Sequence, residues 1–184
     1  MPFDAPPDLS EMSLAQIAEA LAARRLPPLD QWHPAEDVDS NMRVLADGRW
    51  LHEGSPITRP AMVRAFASLL VRQDGQHYLL TPQCRQRVAV DDAAFIAVDV
   101  AQKDGALAFR LNTDEFVLAG PDNPLSAQGD ADCPAIYLAV RHGTQARINR
   151  STWLQLVDLA EDRAGVPVVT SQGAVFQLVP GSPA

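Results

Sequence analysis

Ile57-Thr58-Arg59-Pro60-Ala61-Met62-Val63-Arg64-Ala65-Phe66, set over Ile148-Asn149-Arg150-Ser151-Thr152-Trp153-Leu154-Gln155-Leu156-Val157, decides the fold. Aligned from their isoleucines, Arg59 falls on Arg150, and Met62, Val63 and Phe66 fall on Trp153, Leu154 and Val157. Both stretches have apolar residues at helical spacing. Amphipathic helices match one another by chance, so the shared Ile-x-Arg start and the shared order of flanking elements carry the comparison. Each helix follows one hairpin pattern and precedes another. The expectation is an α+β protein in which a strand-helix-hairpin motif is duplicated, giving two packed sub-domains. A tail and helix occupy residues 1–28, the first repeat 29–93 and the second 94–184.

Working outward, Ser13 opens a helix with Gln16 placed for a capping box, and Leu14, Ile17, Ala18 and Leu21 share one face. Pro27-Pro28 stops it. Residues 29–41 read as a loop anchored by Trp32. Asp47-Gly48 predicts a two-residue type I′ turn between strands at 43–46 and 49–51. Thr58 is the expected N-cap of the first repeat's helix, with Pro60 in its first turn and Asp74-Gly75 ending it. Strands follow at 77–81, 87–90, 95–100, 107–111 and 116–118, then a polar, proline-bearing connection at 121–134. Strands at 136–140 and 146–148, a helix over 151–163 and a hairpin at 166–170 and 174–179 complete the reading.

Of 184 residues, 47% are apolar, enough for a buried core. A net charge of −8 argues against nucleic-acid binding, which needs clustered cations, and against an anionic membrane surface. Lys103 is the only lysine, so every other cationic head is a planar guanidinium suited to carboxylate or phosphate. Cys84 and Cys133 lack metal or redox spacing, and the first ten residues have neither a basic region nor an apolar run. Both features predict a cytoplasmic protein. His33, His52, His77 and His142 are too scattered for a metal site. No nucleophile elbow, phosphate-binding glycine loop or dinucleotide fingerprint is present, so no catalytic residue is assigned.

Several stretches carry a resemblance. They are Asp47-Gly48-Arg49-Trp50-Leu51-His52, Pro56-Ile57-Thr58-Arg59, Tyr78-Leu79-Leu80-Thr81-Pro82, Val90-Asp91-Asp92 followed by Phe95, and Val140-Arg141 with Ala146-Arg147-Ile148-Asn149-Arg150. In order and spacing the chain from Asp47 onward resembles the bacterial proteins grouped as domain of unknown function 1285. It departs from that pattern at Gln83-Cys84, where valine-glutamate is usual, and at Ala94, where proline is usual. The resemblance implies a duplicated fold whose C-terminal half is superficially similar to pleckstrin-homology domains. It also implies a ligand site between the halves, for a nucleotide-like molecule with a role in signal transduction.

Arg59 and Arg150 are the first candidate site residues. A cation at a helix start opposes the dipole at a cost of roughly 0.3–1 kcal/mol, so something should compensate. Two readings stand: each arginine pairs with Asp91 or Asp92 and clamps the halves, or each helps form an anion site with free helix N–H groups. Trp50 and His52, two apart on a strand, share a face, which suits either a pocket wall or a core position. Arg147, Thr81 and Asp92 complete the candidate set. The first functional expectation is a non-catalytic protein that binds or senses a small anionic ligand between the halves. A protein-interaction module is the second, and an enzyme without a recognisable signature the third. No metal is expected, and no cofactor is assigned.

Overall fold

The computed structural model describes residues 8–181. Its first half runs α1 (Leu14–Ala23), β1 (Glu36–Val44), β2 (Trp50–His52), β3 (Ser55–Pro56), α2 (Pro60–Ser68), β4 (Leu70–Gln73), β5 (Gln76–Leu80) and β6 (Cys84–Val90). The six strands form one sheet in the order β3-β2-β1-β6-β5-β4, with the central β1–β6 pair parallel and the rest antiparallel. The second half runs β7 (Phe95–Lys103), β8 (Ala106–Leu111), β9 (Phe116–Leu118), β10 (Leu125–Asp130), β11 (Cys133–Ala139), β12 (Gln145–Ile148), α3 (Arg150–Asp158), β13 (Glu161–Arg163), β14 (Val166–Ser171) and β15 (Ala174–Gln177). Strands β7 to β12 make a second six-stranded sheet, β10-β11-β12-β7-β8-β9, with β12–β7 parallel, and β13-β14-β15 form a small antiparallel sheet. The chain is therefore α+β, with a mixed six-stranded sheet in each half.

Local chemistry explains most boundaries. Ser13 Oγ accepts from the Gln16 N–H and the Gln16 side chain accepts from the Ser13 N–H, the expected capping box. The acidic start of β1 is a strand and not the expected loop. It lies parallel to β6, where Arg85 makes two hydrogen bonds of 2.6 and 2.7 Å to the Asp37 carboxylate. Between Asp47 and Gly48 the turn differs from the type I′ expectation. Gly48 N–H donates to the Leu45 carbonyl, and Gly48, at φ 84°, has positive φ while Asp47 does not.

Two helices are shorter than expected. Asp74 and Gly75, both at positive φ, form the β4–β5 hairpin turn and do not end α2, which stops at Ser68. Likewise α3 stops at Asp158, and β13 follows. The polar 121–134 segment contains edge strand β10, in which Leu125 is the only buried residue.

The register between the two helices also changes. Both have nine residues, and both lead into a strand and a tight turn ending in Gly75 or Gly165. These features align with Pro60 on Arg150, a spacing of 90 residues and not the 91 of the isoleucine alignment. Val63, Phe66 and Leu69 then match Trp153, Leu156 and Leu159, all of which belong to the core, whereas Met62, Leu154 and Val157 are exposed. Arg59 is the N-cap of α2, where Thr58 was expected, and its counterpart in the other helix is Asn149, not Arg150.

One hydrophobic cluster runs through both halves. It joins Val44, Trp50, Leu70 and Val88 to Phe95, Phe109, Leu111 and Leu138. The N-terminal segment straps the outside. Leu9 and Ile17 pack on Ala108 of the second sheet, while Leu29, with Trp32 beside it, packs on Val71, Tyr78 and Leu80 of the first.

The halves also meet where the Arg72 N–H donates 2.9 Å to the His142 carbonyl. Gly143 sits there at φ 75°, and a Cβ on it would lie 2.8 Å from the Arg72 carbonyl oxygen. Gly143→Ala should therefore cost about 2–4 kcal/mol, combining left-handed strain with a backbone clash. Gly165, at φ 82° with open space around it, should cost only about 1–2 kcal/mol on the same change. Urea midpoints at constant m measure the difference. Equal losses would mean that the contact at Gly143 is not tight.

His77 on β5 lies opposite Arg72 and Val88 and is half-buried. Burial first, and then the Arg72 charge, push its imidazole pKa down from 6.5 to about 4. The unfolded chain therefore binds this proton more readily between pH 6.5 and 4, and stability falls as pH drops through that window. The expected loss, discounted for solvent screening of the half-exposed ring, is about 2 kcal/mol. His77→Gln should flatten the stability curve there. The lowered carboxylates of Asp8, Asp37 and Asp47 contribute their losses only below their ordinary 3.8.

Candidate functional site

Arg147 on β12 is held by Tyr137, its cross-strand partner on β11. The guanidinium lies 5.1 Å from the Tyr137 ring centroid, and its Nη1 donates 2.9 Å to the phenol oxygen. That phenol donates 2.6 Å to Asp92 Oδ1, and Arg147 Nη1 is 3.9 Å from Asp92 Oδ2. Burial, reinforced by the hydrogen bond that the phenol donates to Asp92, raises the Tyr137 pKa above its usual 10. The arrangement fixes the arginine from behind. Asp92 lies in the junction between the halves, so the network ties Arg147 to both.

Two clefts adjoin this network. One, of about 540 Å³, lies at the junction and is lined by Ala46, Asp47, Asp92, Ile96, Val98, Asn112 and the run Arg147-Ile148-Asn149-Arg150. The other, of about 380 Å³, lies between α3 and the β10–β11 hairpin. Arg147, Ile148 and Arg150 line both. Arg150 is exposed at the first position of α3, and no ion pair to it occurs among the described residues. Asn149 caps the helix by accepting 2.8 Å from the Thr152 N–H and 2.9 Å from the Ser151 hydroxyl. The N–H groups at Arg150 and Ser151 belong to the first turn, which has no intrahelical partners for them.

The other candidates lie elsewhere. Trp50 is 2% exposed, with its ring stacked on Phe66 at 6.2 Å, and it edges a separate cleft of about 510 Å³ beside Thr58 and Pro60. His52 is exposed at the end of β2 and pairs with Met42 and Ser55. Arg59 is exposed at the start of α2 and lines neither arginine cleft. Thr81 closes a turn, its hydroxyl donating 3.0 Å to the Cys84 carbonyl and accepting 3.1 Å from the Cys84 N–H. The structure thus brings together Arg147, Arg150 and Asp92, and separates them from Arg59, Trp50, His52 and Thr81.

The clamp between the halves is built from residues that sequence reasoning passed over. Glu115 is 5% exposed and accepts from Thr113 Oγ1 at 2.9 Å, while Arg141 and Arg24 both pair with it. Arg141 also donates 2.9 Å to the Ala67 carbonyl at the end of α2 and lies 5.3 Å from the Phe95 ring centroid. Asp91 and Asp92, the expected clamp partners of Arg59 and Arg150, pair instead with Arg43 and with Tyr137 and Arg147. Among the described residues no group of three His, Cys, Asp or Glu is arranged to hold a metal ion, and no helix is long and apolar enough to cross a membrane.

A two-half α+β architecture with a mixed six-stranded sheet in each half and an arginine-lined junction defines the class. The chain belongs to the DUF1285 family. Residues 27–93 match the N-terminal domain of this domain of unknown function, and residues 94–178 match the C-terminal domain of this protein of unknown function. A crystal structure of a DUF1285 family protein from Silicibacter pomeroyi DSS-3 is 37% identical, with a TM-score of 0.78 over 91% of this chain and 95% of that one. Another, from Shewanella baltica OS155, is 21% identical over 64% of this chain and 90% of that one, and its TM-score of 0.53 shows likeness of fold alone. No curated protein matches the chain.

Proposed function

We propose that this protein binds a small anionic ligand without transforming it, in the clefts bordered by Arg147 and Arg150. The supporting observation is that both guanidiniums line both clefts, one fixed by Tyr137 and Asp92 and the other with no carboxylate partner among the described residues, in a chain of net charge −8. Two guanidiniums beside a helix N-terminus suit carboxylate or phosphate. The constant 90-residue offset between the two helix-and-hairpin units supports a duplicated origin, and the expected nucleotide-like ligand and signalling role rest on the family resemblance. The likeness of the C-terminal half to pleckstrin-homology domains rests on it too.

A thermal-shift panel of nucleotides, dinucleotides, simple phosphates and aliphatic and aryl carboxylates tests the reading. A ligand at a hundred times its Kd adds about 2.7 kcal/mol, which raises Tm by about 5–10 °C in a chain of this size. A rise with one class, lost in Arg150→Ala, is expected. No rise across the panel would favour the protein-interaction reading, for which the fully exposed edge strand β13 is the candidate surface.

A further inference from the structure

Resting on the anion-site reading, we infer that the ligand is amphipathic, with one anionic head on Arg147 and Arg150 and a compact apolar body in the groove between α3 and the β10–β11 hairpin. Both clefts that share the arginines mix apolar and polar walls, and Ile148 lines each. The junction cleft holds two carboxylates, Asp47 and Asp92, which repel a second anionic group. The outer groove holds a single carboxylate, Asp132, and adds the large apolar side chains of α3 to its walls. Ile136 and Ile148, on adjacent strands and 2% and 5% exposed, belong to its lining together with Pro134, Trp153 and Leu154.

Leu154 is 57% exposed, the largest exposure among the big apolar side chains described. It stands four residues after Arg150 on α3, a spacing that puts the two side chains side by side on one face of the helix. A half-exposed leucine beside a guanidinium that has no ion pair among the described residues offers an apolar contact and a charge contact to one molecule. The groove's volume of about 380 Å³ falls within the range of small-molecule pockets, which combine apolar walls with a few polar groups. Asp132 on the hairpin also lines the groove and disfavours a second negative charge, so the occupant is a monoanion with an aliphatic or aryl body. A polyphosphate fits this groove poorly.

Calorimetric titration of the full chain with butyrate, hexanoate, octanoate and inorganic phosphate tests the inference. Affinity should rise roughly threefold to fourfold per added methylene, on the order of a hundredfold from butyrate to octanoate. Leu154→Ser should flatten that slope, whereas Arg150→Ala should weaken all four anions alike by about tenfold or more. Phosphate binding that depends on Arg150, with no chain-length dependence among the carboxylates, would overturn the apolar arm and leave the anion site standing. A slope that survives Leu154→Ser would also overturn it. Failure of all four anions to bind would take down the anion site and this inference together.

Discussion

Arg141→Ala is expected to destabilise the folded chain by about 3–5 kcal/mol, the range for removing one partner of a buried ion pair. Glu115 would keep Arg24 and the Thr113 hydroxyl, but Arg24 is an outer partner, its side chain 27% exposed against 15% for Arg141. More is lost than charge. Arg141 also satisfies the Ala67 carbonyl at the end of α2 and covers the Phe95 ring, so its removal opens the contact between the halves. Arg24→Ala, removing only the outer cation, should cost about 1 kcal/mol or less. Arg141→Lys should fall between them, because an ammonium cannot span the carboxylate and the carbonyl with a planar fork. Urea unfolding followed by fluorescence and by circular dichroism measures all three. Equal effects of Arg24→Ala and Arg141→Ala would contradict the view that Arg141 is the inner member of the clamp.

Trp50→Ala should cost a similar amount, about 3–5 kcal/mol, because it empties a fully packed position in the cluster that joins the halves. The stacked Phe66 would lose its partner. A ligand platform would behave differently, since its loss should reduce affinity more than stability. Trp50→Phe separates the two roles, because it keeps an apolar ring in the cluster while removing the indole. Its expected result is a modest loss of stability with anion affinity unchanged. A tenfold loss of affinity in a stably folded Trp50→Phe would return Trp50 to the binding site.

Much of the fold was legible from short-range chemistry. The Ser13–Gln16 capping box and the strand at Phe116–Leu118 stand where sequence puts them, because a cap depends on local spacing and an aromatic or β-branched run between turns reads clearly. What was missed depends on partners distant in sequence. The first residues of β1 look like an acidic loop until β6 brings Arg85 beside Asp37. Strand β10 is polar because it is an edge strand with one neighbour in its sheet. The stripe through Leu69 and Leu70 continues the α2 pattern, yet positive φ at Asp74 and Gly75 makes that segment a hairpin.

The candidate site shows the same division. Reading Arg59 as the counterpart of Arg150 relied on an isoleucine alignment, and a one-residue shift places Asn149 there instead. That single step matters chemically. Asn149 supplies the neutral cap, which leaves Arg150 exposed beside the first turn, while Arg59 caps its own helix with no side-chain hydrogen bond. Glu115 was visible only as half of an adjacent acidic pair, and nothing local distinguishes it from the exposed Asp114. Tyr137, one of two tyrosines in the chain, gave no periodic signal of its role.

The most direct measurement of the central claim is a side-by-side calorimetric titration of Arg59→Ala and Arg150→Ala with the best anion from the thermal-shift panel. Retained affinity in Arg59→Ala and at least a tenfold loss in Arg150→Ala is the predicted result. Equal losses, or a loss confined to Arg59→Ala, would contradict a site built on Arg147 and Arg150.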